Sequence, residues 1–469
     1  MIVAVDSGPH PELPSHVLQA LEKFDLNYRT CQDRPDLPAA QRVQSVLLED
    51  AIGMLLVLFP RDRLLDLTLL AELTGRQLTA AKHEKLQQLL ARQALNSLPG
   101  LPQLLPVPCL YEASLMQQPT LWIESGQPGL LLEFTLEDLR SLMEKASSGH
   151  FGVVVNDIRP NLNRPHEDQA EIIRAVESFT ARRIRQRLEE TIEIPPLPQS
   201  ANRIIRLRVD PKATVEDITN LVETDPALAA QVVSWAASPY YASPSKVRSV
   251  EDAIVRVLGF DIVINLALGL ALGKTITLPK DEPQQSTPYW QQAIYTATVI
   301  DGLLRIMPRA QRPESGMAYL CGLLHNFGYL VLAHVFPPHF SLICRHREVN
   351  PHLHHSQIEQ HLLGITREQI GAWMMQHWGM PEELYTALRF QNDLHYQGEY
   401  ALYPNLIWLT VRLLGKHGIG SDPDQNIPDE LYEKLGIDRQ KADEVVQKVF
   451  SAETALRELA RQMNPVGPR

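Results

Sequence analysis

Strand-like patterning runs out near residue 197. Ahead of that point, short Val/Leu-rich runs alternate with amphipathic segments. From about Leu197 to Leu414, apolar residues recur at helical spacing and strand patterning largely disappears. One layered architecture does not supply both patterns, so the chain reads as multidomain, an N-terminal α+β part followed by an all-α part. At 469 residues, each part has enough chain to bury its own core. The boundaries expected from composition are a first domain at 1–147, a linker and connecting helix at 148–190, the main helical domain at 191–415 and a helical C-terminal extension at 416–469.

Within the first part, "VQSVLLED" and "GMLLVLFP" are bounded by Asp50, Gly53 and Pro60 and read as a hairpin-like strand pair. "LDLTLLAELTG" reads as a short helix stopped by Gly75, "HEKLQQLLARQAL" as another, and "PVPCLY" and "LWIESGQPGLLLEF" as strands. The Gly-, Asn- and Pro-bearing "SSGHFGVVVNDIRPNLNRPHED" reads as a linker. After it, Ile172, Ile173, Val176, Phe179, Ile184 and Leu188 approximate one face of a connecting helix. In the helical part, Asp225 is placed to cap a helix with Pro226 at its first position, and Ser249 to cap another with Glu251 and Asp252 in its first turn.

The net charge of −11 argues against broad non-specific nucleic-acid binding. Cys31, Cys109, Cys321 and Cys344 are scattered without a CxxC pair, which predicts reduced thiols in a cytoplasmic protein. No secretory signal is evident at the N-terminus, and the most apolar run, "IVINLALGLALG" from Ile262, falls short of the ~20 residues that span a bilayer. No membrane span is therefore expected.

The runs "IPPLPQSANRIIRL", "VEDITNLVETDPALAAQVVSWAASPYYASPSKVRSVEDAIVRVLGF", "YLCGLLHNFGYLVLAHVFP" and "EQIGAWMMQHWGMPEELYTAL" follow in consistent order over residues 190 to 400. They resemble the HDOD domain family, all-α relatives of HD-type metal phosphohydrolases found in bacterial signalling and regulatory proteins. HD chemistry needs imidazoles and carboxylates from several helices to converge on divalent metals, which generate hydroxide and clamp a phosphate. The resemblance places the family's ligand positions at Gln292, at the pair His325-Asn326, at Thr366 and at the pair Gln391-Asn392. Only His325 keeps a ligand type there, and an amide oxygen bridges hard cations far more weakly than a carboxylate. This implies a vestigial pocket with no catalytic residue, no metal and no cofactor. His325 is then either a helix histidine satisfied by a neighbour or part of a retained ligand site.

"PRDRLLDLTLLAELTG" and "ESGQPGLLLEFTLEDL", within residues 12 to 145, resemble the YbaK-type, prolyl-tRNA-editing aminoacyl-tRNA deacylase domain, which implies a mixed barrel-like α+β fold. In that family a Lys on the first long strand helps hold the tRNA end, and a Gly-rich loop brings its backbone to the substrate carbonyl. The matching positions are Gln44, which is uncharged, and Gly100 in "SLPGLPQLLPVP", where the surrounding prolines remove backbone donors. The two form an expected vestigial deacylase cleft.

Other features are read as structural first. "HREVNPHLHHSQIEQH" holds His346, His352, His354, His355 and His361. His355 and Glu359 have a metal-compatible i,i+4 spacing, set against an exposed inter-helix loop. Trp373 and Trp378 are expected in core or groove packing. Arg182, Arg183, Arg185 and Arg187 spread around their helix and are paired in sequence with Glu177, Glu189 and Glu190. The combined expectation is a non-catalytic bacterial regulatory protein. Its HDOD domain binds a regulatory protein partner or a ligand, and its editing-like domain is a second binding module for a nucleotide or a tRNA end. The alternatives are an aminoacyl-tRNA deacylase with an HDOD regulatory arm and, third, a metal-dependent HD-type phosphodiesterase.

Overall fold

The structure is a computed structural model that describes residues 13–24, 26–180, 196–241, 246–273, 275–276, 278–420 and 426–463. The chain forms two compact units. One comprises residues 1–159 with 342–353, and the other residues 160–341 with 354–469.

The first unit is mixed α and β. Its strands are β1 (Arg29–Gln32), β2 (Val43–Glu49), β3 (Met54–Pro60), β4 (Arg63–Leu65), β5 (Thr79–Ala80), β6 (Cys109–Glu112), β7 (Thr120–Glu124), β8 (Leu130–Thr135), β9 (Ser147–Gly149) and β10 (Gly152–Val154). The main sheet has the order β5-β2-β3-β6-β9, antiparallel up to β3 and parallel from β3 to β9. A second sheet runs β1-β8-β7, and β4 pairs with β10. The β2–β3 hairpin is as the sequence predicts, with Gln44 opposite Phe59. Its near-continuous apolar composition follows from burial on both faces. Val43, Leu56 and Leu58 enter one core with Leu121, Ile123, Leu132 and Phe134. Val46, Leu48, Val57 and Phe59 enter the other with Leu65, Leu70, Phe151 and Val349. The Leu67–Thr74 helix ends at Gly75 in the left-handed region, as expected.

Residues 147–154, expected as linker, are instead the strands β9 and β10. The buried Glu112 carboxylate fastens them by accepting from Phe151 N at 2.7 Å and Gly152 N at 2.8 Å. Two strands of three residues each give too short a pattern to read locally.

The second unit is helical. Tyr289–Ile306 is its central helix, packed by Ser315–Leu324, Leu402–Gly415 and the C-terminal helices Arg439–Ser451 and Glu453–Gln462. Asp225 caps Pro226–Ala236 and Ser249 caps Val250–Ala253, both as predicted. The helix Asp168–Thr180 is not a free connector. Arg389 binds Asp168 through Nε and through Nη2 at 2.9 Å, and Gln369 Nε2 donates to Asp168 at 2.9 Å and to Glu171 at 2.6 Å. Its inward face is Ile172 and Ala175, whereas Ile173 is exposed. Arg182, Arg183, Arg185 and Arg187, with Ile184, Leu188, Glu189 and Glu190, lie outside the described residues.

The span Ser315–Val335 is long and apolar enough to cross a membrane by length and composition. Within the protein 89% of that window is buried, which fits a core element. Among the described residues, Cys31, Cys109, Cys321 and Cys344 form no disulfide.

Candidate functional site

The run from Gly322 is two helices. Ser315–Leu324 ends and Phe327–Val335 begins with His325 and Asn326 at the junction, and Asn326 leaves helical geometry at φ −102°, ψ 17°. His325 is buried. Its Nδ1 lies 2.7 Å from Gly322 O, an acceptor only, so Nδ1 carries the proton and Nε2 keeps its lone pair. Gln292 Nε2 sits 3.4 Å from that nitrogen, and Gln391 Nε2 donates to His325 O at 2.7 Å and Leu388 O at 2.9 Å. Burial, helped by the nearby Arg367 cation, pushes the His325 pKa down to about 4, against the pull of the Gly322 carbonyl. Gln292, His325, Asn326 and Gln391 are thus brought to one place. Asn392 keeps a buried amide nitrogen without a hydrogen-bond partner. Thr366 is a helix cap, closing a capping box with Gln369 at the start of Arg367–His377.

That cap delivers a residue which the sequence reading missed. Arg367 is buried, and its Nη1 donates to Asn326 Oδ1 at 2.9 Å. Its Nε donates to Glu359 Oε1 at 2.6 Å, its backbone N–H to Glu359 Oε2 at 2.9 Å, and its guanidinium carbon lies 4.9 Å from the centre of the Tyr329 ring. Burial is the largest influence on Arg367 and opposes its charge, but the attraction and hydrogen bonding of Glu359 together with the Glu368 charge outweigh it and the pKa rises. Burial pushes the Glu359 carboxyl up, against Arg367. Beside them His355 Nε2 lies 2.6 Å from Glu368 Oε1. One ligand atom from each of His355, Glu359 and Glu368 falls within 4.8 Å of the others. Main chain sets this geometry. A Cβ on Gly328 would lie 1.8 Å from Arg367 O, and one on Gly371 would lie 2.9 Å from Gly328 Cα.

The metal implied by the HD resemblance does not fit these residues. The amides offer neutral oxygens at best, Asn326 Oδ1 already accepts from a cation, and both oxygens of Glu359 are bonded to Arg367.

In the α+β unit, Gly100 stands where a Cβ would lie 2.3 Å from Ile123 Cγ2 and 3.0 Å from Ser45 Oγ. Strand alternation puts Ser45 on the face of Val43 and Gln44 on the opposite face with Val46, so Gly100 meets Ser45 and is not brought together with Gln44. The Gly100 N–H donates to Glu124 O at 2.8 Å and is therefore occupied. Burial raises the Glu124 carboxyl to about 7, although the Ser45 hydroxyl and the Arg42 and Arg61 charges pull it down. Asp33 pairs with Arg42 and adds its own negative charge to that field. A charged residue at the end of β7, next to the Ser125–Gly126 turn, was the available sequence signal.

The His-rich tract is not an exposed loop. His346 Nε2 accepts from Leu67 N at 3.2 Å, Asn350 brackets Leu65 through both its backbone groups, and His352 Nε2 lies 3.0 Å from Arg63 O. Burial pushes His352 down to about 4. Trp378 packs edge-on against Phe327, as expected of a core residue, and Trp373 stacks on His377. Arg208 donates to Asn265 at 3.2 Å and pairs with Glu314.

Comparison with known proteins also finds two modules in the chain, although residues 342–353 of the first unit fall within the HDOD match. Residues 194–394 match the HDOD domain and residues 28–142 the aminoacyl-tRNA editing domain. A crystal structure from Marinobacter aquaeolei VT8, of a protein named for signal transduction, is 42% identical, covers 96% of this chain and 100% of its own, and superposes with a TM-score of 0.88. An HDOD domain protein from Geobacter sulfurreducens is 18% identical, with a TM-score of 0.49 over 63% of this chain and 98% of its own. A protein of Treponema pallidum (strain Nichols) is 26% identical over 272 residues, which are 56% of this chain. The chain spans half the length of that relative.

Proposed function

For a chain that belongs to the HDOD family and carries an aminoacyl-tRNA editing domain ahead of its helical unit, we propose a bacterial, cytoplasmic regulatory protein that acts by binding and not by catalysis. The HDOD domain and the name of the Marinobacter protein fit a regulatory role. Under this reading the helical unit is the platform for a protein partner, and the editing-like unit is a second binding module for a nucleotide or a tRNA end. The observation that carries it is the ligand set at the HD positions. Gln292, Asn326 and Gln391 are neutral amides, and all three are engaged with the protein's own groups around His325. Nothing in that set deprotonates a water or bridges two cations.

One observation favours a second reading, an aminoacyl-tRNA deacylase with a regulatory arm. Glu124 carries a carboxyl balanced near neutrality beside the Ser45 hydroxyl, and its backbone carbonyl accepts from Gly100, the glycine the editing resemblance singles out. One experiment tests both. The purified chain is assayed on a panel of mischarged aminoacyl-tRNAs, and on cyclic dinucleotides with manganese. No turnover above the spontaneous rate is expected. Ester hydrolysis that is lost in Glu124→Gln would establish the deacylase instead, and cyclic-dinucleotide hydrolysis that is lost in His325→Ala would establish the phosphodiesterase.

A further inference from the structure

We infer that Arg367 is the resident cation of the helical pocket, a guanidinium that takes the place of a metal and closes the site to divalent ions. Three observations converge on it. First, its Nη1 donates to Asn326 Oδ1 at 2.9 Å, at the residue where an HD site would present a carboxylate to a metal. An amide oxygen in that place suits a hydrogen-bond donor, and a guanidinium has five N–H donors and no acceptor. Second, the remaining anionic ligands nearby are already matched. Glu359 receives Nε at 2.6 Å and the backbone N–H of Arg367 at 2.9 Å, while His355 meets Glu368 at 2.6 Å. Third, the charge is held there by the main chain. Thr366 caps its helix, Gly328 and Gly371 bring the two helix backbones into contact, and Tyr329 presents its ring 4.9 Å from the guanidinium carbon.

The same geometry says what Arg367 displaces. His355, Glu359 and Glu368 hold three ligand atoms within 4.8 Å of one another, a one-imidazole, two-carboxylate set of the kind that binds manganese or zinc. With Arg367 present, a divalent ion entering that set would meet a like charge bonded to one of its own ligands. Without Arg367, the buried Glu359 lacks its compensating cation, and the set becomes a site for one divalent ion per chain.

The inference rests on the non-catalytic reading of the helical unit, and the two fail separately. Hydrolysis without metal binding sinks the functional reading alone, and metal binding without hydrolysis sinks this inference alone. The test titrates manganese and zinc into the full chain at neutral pH, reading bound metal by equilibrium dialysis with elemental analysis. Wild type and Arg367→Lys, which keeps the charge, are expected to bind no stoichiometric metal at millimolar concentration. Arg367→Ala is expected to bind one ion per chain, at least about 100-fold more tightly than wild type, because a unit of like charge has left the ligand shell. Adding Glu359→Gln to that variant should abolish the gain. Stoichiometric metal in wild type that Glu359→Gln removes would overturn the inference. So would metal binding by Arg367→Lys, or a folded Arg367→Ala chain that binds none. If Arg367→Ala unfolds, recovery of its fold by added manganese or zinc supports the inference. An unfolded chain that neither ion recovers counts against it, since a vacated cation site would be refilled.

Discussion

In the helical unit, Glu359 is buried with no access to water, and Arg367 from the next helix reaches it, its guanidinium bonding Oε1 and its backbone N–H bonding Oε2. Burial raises that carboxyl, and in the α+β unit it also raises Glu124, half-buried beside Arg42 and Arg61, to about 7. The difference lies in geometry rather than in the amount of nearby charge. Arg367 and Glu359 are bonded to each other, whereas Arg42 is already committed to Asp33 and acts on Glu124 only through space. A bonded partner fixes where the compensating charge of a buried acid sits, whereas charges acting through space do not.

The largest expected effect breaks this compensation where it is purely structural. Arg389→Ala leaves Asp168 buried without its cation and should cost the helical unit about 3–5 kcal/mol. Hydrogen exchange read by segment should show the loss in residues 160–341 and 354–463 and spare the sheet of the α+β unit. The next effect is pH-dependent. His325 takes up a proton near pH 4 when folded and near its ordinary 6.5 when unfolded. As pH falls, the unfolded state therefore binds the proton first. Stability contributed here is complete above about pH 6.5 and declines toward pH 4, by about 3 kcal/mol. Denaturant unfolding of the helical unit at several pH values should show that slope, and His325→Gln should flatten it.

Smaller effects belong to the α+β unit. Gly100→Ala forces a methyl into Ile123 and Ser45 and should cost about 1–3 kcal/mol, seen as a lowered unfolding midpoint of that unit alone. Glu124 should give the opposite pH slope from His325. Its raised carboxyl keeps a proton that the unfolded chain has lost between its ordinary value of 4.5 and about 7, so stability falls as pH rises through that window. Glu124→Gln removes the cost of charging. It should be more stable than wild type by about 1 kcal/mol at pH 8, since solvent screens a half-buried group and leaves part of the full effect, and equal to it at pH 4. Parallel slopes in the two units would contradict the opposite signs expected from His325 and Glu124.

What the sequence disclosed and what it hid divide along range. The β2–β3 hairpin, the caps at Asp225 and Ser249 and the stop at Gly75 are decided by residues within a few positions of one another, and all were legible. β9 was not, because its partner β6 lies nearly forty residues away and the glutamate that fastens it sits on that distant strand. Of the candidate site, the convergence of Gln292, His325, Asn326 and Gln391 was legible through family resemblance. Arg367 was hidden because its partner Asn326 is 41 residues away. In the α+β cleft, a shift of one residue along β2 exchanged Ser45 for Gln44. On a strand, one residue is the whole difference between two faces.

The contact between Gly328 and Gly371 has one more consequence. Two helices that touch through bare backbone keep their separation whatever side chains their ends carry, so the cradle is a fixed jig and its contents are interchangeable parts. Exchanging an acid for an amide at position 326, or an ion for an arginine beside it, alters what the cradle holds without altering its dimensions. A socket of this kind can lose one occupation and take another while its outline stays the same.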